Sequence, residues 1–100
     1  MKFDEILKEM SEIYARKNHD YGNSFGQSIN EFGPIAGVVR ISDKFNRLKT
    51  LIKNKDSQRV SDESIIDTLT DMANYCIMLR MELEDDPKSK KSDRCDNQFV

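Results

Sequence analysis

The chain has 100 residues, 37% of them hydrophobic and 34% charged, with no Trp and a net charge of −2. That length allows one domain with a thin core, the charge provides no overall basic field for duplex nucleic acid, and no apolar run approaches the ~20 residues of a membrane span. The charged start MKFDEILKEM is unlike a secretory leader, and Cys76 and Cys95, with no C-x-x-C and a single His in the chain, suggest reduced thiols in a cytoplasm rather than a zinc site or a disulfide frame.

Residues 3 to 17 place Phe3, Ile6, Leu7, Met10, Ile13 and Tyr14 at helical spacing, which predicts a first helix. KNHDYGNSFGQS follows, polar and carrying two glycines, and reads as the start of a long loop that runs to about Gly33. Such a loop is either a solvated spacer or a wall of a binding site. Tyr21 and Phe25 suit stacking on a base or anchoring the loop to the helices, and Asn18 and Asn23 suit reading a base edge. Lys17 suits a phosphate contact or a cation at a helix C-terminus. His19, the single histidine, has no nucleophile with which to form a catalytic pair.

Pro34 suits a first helical position. The second helix then carries Val38, Ile41, Phe45, Leu48 and Ile52 on one stripe over about 30 Å. Arg40, Asp43, Lys44 and Arg47 share another side. Asp43 either pairs with those cations or joins a carboxylate row across a helix contact, leaving the cations for phosphates. NKDSQR breaks the pattern, Ser61 is a candidate N-cap for a third helix, and Asp62 and Glu63 fill its first turn. Ile65, Ile66, Leu69, Met72, Ala73, Cys76 and Leu83 form its apolar face, Pro87 stops it, and residues 88–100 read as a disordered polar tail. The expected fold is therefore an all-α bundle of three main helices over residues 1–87, completed by oligomerisation.

On the third helix Glu63, Asp67 and Asp71 recur every fourth residue, with Asn74 continuing the line. Like charges at that spacing weaken a helix, and Asp is a poor helix former. The row is either a solvated face or a set of Mg²⁺ ligands, since that ion prefers oxygen donors. Lysine and arginine are absent from the helix until Arg80, and Met78 and Met81 extend the stripe, both of which fit an interface better than a wet surface.

KNHDYGNSF, RISDKFNRLKTL and DESIIDTLTDMANYCIM, in that order, resemble the nucleotide modification associated domain of the first type, found in phages and bacteria and similar in organisation to the MazG-like all-α nucleoside triphosphate pyrophosphatases. The resemblance spans about residues 5 to 84. It implies a helical subunit that assembles as a homodimer or homotetramer, and a Mg²⁺-dependent cleavage of the α–β phosphoanhydride of a nucleoside triphosphate, with a deoxynucleotide as the expected substrate. MazG-like enzymes hold the metal with E-x-x-E on one helix and E-x-x-D on the next. Asp71 stands at the acid of the second motif; Asp67 falls one position before that motif's Glu, where this chain has Thr68. In the first motif Asp43 takes the second acidic position and Arg40 replaces the first Glu. The resemblance thus implies Asp43, Asp67 and Asp71 as catalytic residues, with Glu63 as a further metal ligand. Lys17, Asn18, Asp20, Tyr21, Phe25, Arg40, Lys44, Arg47 and Asn74 are the candidates for substrate binding. The departures keep open an alternative, a non-catalytic nucleotide-binding or accessory module, and beside it a structural partner built on Met10, Met72, Met78 and Met81.

Overall fold

The computed structural model describes residues 1–21, 23–55 and 62–85, with the side chains of Asp20 and Tyr21 left out. Gly22, the Ser61 cap, the Pro87 stop, the 88–100 tail and Cys95 lie outside the described residues.

The protein is all-α. Helix α1 spans Lys2–Tyr21, α2 Ser24–Phe32, α3 Ile35–Lys53 and α4 Asp62–Asp85. The three long helices fall where hydrophobic periodicity predicts them. The stretch expected to be a loop does not: α1 continues through His19 to Tyr21, and α2 occupies most of the rest. The physical reason lies in its ends. The Asn23 side chain caps α2 by accepting from the Gly26 N–H at 3.3 Å, so Asn23 serves the backbone. Gly33 closes the helix at φ 88°, where L side chains are strained, and its N–H reaches Ile29 O at 2.8 Å. Between these caps Phe25 and Ile29 stand four residues apart and are both buried. Pro34 sits at the N-cap of α3 with αR dihedrals, and its carbonyl accepts from Val38 N at 3.3 Å, within one residue of the expected start.

The main packing joins α3 to α4, with α2 lying against both and α1 resting more lightly on α4. Gly37 on α3 makes this possible. A Cβ there would come within 2.9 Å of Leu79 Cδ1, 3.2 Å of Phe25 Cζ and 3.3 Å of Ile29 Cδ1. Packing therefore rotates α3 away from its expected stripe. Gly37 is buried and Ile41 and Leu48 are half-buried, but Val38, Phe45 and Ile52 are exposed. Arg40 and Lys44 are half-buried on the inward side instead. On α4 the inward residues include Ile65 and Thr68, whereas Ile66, Leu69, Cys76 and Leu83 are exposed. Thr68 is tolerated in the core because its hydroxyl donates to Ser64 O at 2.9 Å.

The buried apolar side chains are Met10, Phe25, Ile29 and Ile65 among the described residues, and none is fully sealed. The bundle is open. No helix among the described residues is long and apolar enough to cross a membrane.

Two glycine substitutions test this account. Gly33→Ala should cost about 1 kcal/mol by forcing a side chain onto positive φ, and Gly37→Val about 2 kcal/mol by overpacking the three-helix contact. Circular-dichroism melts should show a drop of ~4–8 °C per kcal/mol for a domain of this size; an unchanged melt for Gly37→Val would mean the helices do not meet there.

Candidate functional site

The last turns of α1, the start of α2 and the middles of α3 and α4 surround a cleft of about 230 Å³. Lys17 and Asn18 line it from α1, Ser24 and Phe25 from α2, Arg40 from α3, and Asp71, Asn74, Tyr75 and Met78 from α4, with Tyr14 at its edge.

Helix geometry explains which of the acidic row reaches the cleft. Each step of four residues turns about 40° further round a helix of 3.6 residues per turn, so the row spirals and does not run straight. Glu63 and Asp67 are exposed; Asp71, two steps on, is half-buried at the edge of the packed face. There its Oδ1 meets Lys17 Nζ at 3.1 Å and its Oδ2 meets Lys44 Nζ at 3.4 Å. Helices α1, α3 and α4 are thus tied at one carboxylate. Asp43 is exposed and, among the described residues, forms no ion pair with the α3 cations and joins no carboxylate row. Arg47 is exposed as well and does not line the cleft.

A resident Mg²⁺ held by Asp43, Glu63, Asp67 and Asp71 would require these groups to converge. Among the described residues no three His, Cys, Asp or Glu side chains are grouped to hold a metal ion. The donor set of one chain does not fit that four-carboxylate site, because only Asp71 turns inward and two ammonium groups already neutralise it.

Phe25 has a structural role. It is 5% exposed, and its ring stacks on Tyr75 with centroids 5.7 Å apart and an interplanar angle of 28°. The Arg40 guanidinium lies 5.9 Å from the Phe25 centroid and 5.8 Å from that of Tyr75, close enough for cation–π attraction. Phe25 is an anchor of α2 that also walls the cleft. Asn74 donates to Met10 O at 3.5 Å, a long bond that pins α1 to α4. The sequence reading missed Tyr14, Ser24, Tyr75 and Met78 as cleft residues. Tyr14 was absorbed into the first apolar stripe, and Tyr75 four residues after Asp71 was the available signal.

An apolar groove of about 160 Å³ continues from the cleft between α1 and α4, sharing Tyr14, Asn74 and Met78 with it and adding Leu7, Ile77 and Met81.

Residues 17–83 match the family described as Nucleotide modification associated domain 1. The chain belongs to this family. The match begins at Lys17, so all of α1 before its last turns lies outside the matched span, which is shorter at that end than the resemblance over residues 5 to 84. Every described cleft residue except Tyr14 falls inside it. No curated protein and no solved structure matches the chain.

The anchor role of Phe25 predicts that Phe25→Ala costs about 3–4 kcal/mol in stability, measured by urea denaturation, while Phe25→Leu costs markedly less. A Phe25→Ala variant that folds normally would return Phe25 to the ligand.

Proposed function

We propose that this member of the nucleotide modification associated domain 1 family binds a nucleoside triphosphate, with its phosphates in the cleft. The observation that carries the reading is the set of three cations, Lys17, Lys44 and Arg40, gathered from two helices around the single carboxylate of Asp71. Phosphate esters are recognised by such donors, Arg above all through its planar fork. The amides of Asn18 and Asn74 and the face of Tyr14 supply polar and aromatic surface for a base.

Hydrolysis of the triphosphate at the α–β bond is the second reading, favoured by Asp67 and Asp71 standing one turn apart on α4. Magnesium would arrive with the triphosphate, whose oxygens and bound water fill most of its shell; Asp71 is the one carboxylate of the row at the cleft to which it could turn. What the chain's own cations do is independent of that ion: they orient the phosphates and neutralise their charge.

The exposed stripe Val38, Phe45 and Ile52 on α3, with Ile35 at its head, supports assembly of two or more copies. An apolar row of this length on a small domain ordinarily meets a partner surface.

Calorimetry with each ribo- and deoxynucleoside triphosphate, with and without Mg²⁺, tests the binding proposal. Arg40→Met should weaken binding by about tenfold or more, in line with the loss of a charge-assisted contact. No binding of any triphosphate under either condition would remove the proposal, and pyrophosphate release in the presence of Mg²⁺ would select the hydrolytic reading over the accessory one. Phe45→Asp should lower the mass seen by sedimentation if the α3 stripe is the contact between copies; an unchanged mass would reassign that stripe.

A further inference from the structure

Asp71 is where the expected row of metal-ligating carboxylates and the observed cleft diverge. Its two oxygens are divided between lysines of different helices, Oδ1 to Lys17 at 3.1 Å and Oδ2 to Lys44 at 3.4 Å. The side chains of Asp71 and Lys44 are 25% and 28% exposed, and that of Lys17 57%, so the ion pairs sit at the mouth of the cleft and can exchange partners. Two ammonium groups that one carboxylate can bridge are also placed to be bridged by one phosphate group, whose oxygen spacing is similar. Arg40 lines the same hollow, with its guanidinium against rings and no carboxylate partner among the described residues.

We infer that Asp71 is a resident counter-ion standing in the phosphate position, so that the cleft accepts polyphosphates and turns away anions with a single phosphate. The inference rests on the nucleotide reading only for the identity of the ester, since inorganic polyphosphate presents the same charged head. An incoming anion must take both lysines from Asp71 and then lie beside a displaced carboxylate of like charge. A lone phosphate gains little from this trade, because it replaces one bridging anion by another and acquires a repulsive neighbour. A di- or triphosphate carries more charge and extends to Arg40, a contact that Asp71 does not make, and so it displaces the counter-ion. The carboxylate thereby acts as a charge threshold, and as a specificity-determining residue it opposes binding.

This role and that of a metal ligand predict opposite signs. Calorimetric titrations in EDTA would use orthophosphate, pyrophosphate, tripolyphosphate and a nucleoside triphosphate as probes, against wild type, Asp71→Asn and, as a distant charge control, Glu84→Gln, whose partner is Arg80. Wild type should bind tripolyphosphate and not orthophosphate. Asp71→Asn should bind tripolyphosphate about tenfold more tightly and bind orthophosphate measurably, with Glu84→Gln matching wild type. Asp71→Ser should reproduce the gain if the Asn variant folds poorly, as judged by circular dichroism. Equal or weaker tripolyphosphate binding by both folded Asp71 variants would overturn the inference, as would a gain of the same size in Glu84→Gln. If tripolyphosphate follows the expected pattern while nucleoside triphosphates bind no better than it does, the counter-ion role stands and the nucleotide reading falls.

Discussion

The approach of three helices at Gly37 is the contact on which the rest of the structure depends. Because α3 presents no side chain there, the tips of Phe25, Ile29 and Leu79 can close on its backbone. That contact fixes the rotation of α3 about its own axis, and the rotation decides the chemistry. It turns Arg40 and Lys44 inward with Ile41 and Leu48, and leaves Val38, Phe45 and Ile52 outside. A side chain at position 37 would press first on Leu79 and then on Phe25, one ring of the pair that Arg40 lies against.

The cleft is accordingly an electrostatic object built on a packing one. One carboxylate, that of Asp71, holds the ammonium groups of Lys17 and Lys44 together. The ion pairs are partly exposed, so they contribute little to stability; their importance is in where they hold the cations. Lys17 comes from the helix with the lightest packing, so the cleft owes one of its walls to α1 being held by Met10, the Asn74 bond and this ion pair.

Much of the fold was legible because long amphipathic helices announce themselves through periodicity. The α2 helix was not, since only Phe25, Ile29 and Phe32 of its nine residues are apolar and its evidence lies in two caps, Asn23 and Gly33, that are also common in loops. The rotations of α3 and α4 were misjudged for a related reason. Periodicity locates a stripe by residue type, and here Gly37 and Thr68, neither of them strongly apolar, occupy the inward positions. Among the site residues, Lys17, Asn18, Arg40, Asp71 and Asn74 do come together at the cleft, and Lys44 reaches it through Asp71, because they stand on the inward or flanking sides of their helices. Asp43, Glu63, Asp67 and Arg47 remain outside it, since matching a spacing of four residues does not cancel the drift of each step round the helix axis.

A core that shelters so few apolar side chains changes what surface exposure means in this chain. Val38 and Phe45 stand open to solvent, so a polar substitution in that outer row removes little of the burial that holds the bundle together, whereas one at Phe25 or Ile29 removes a large share of it.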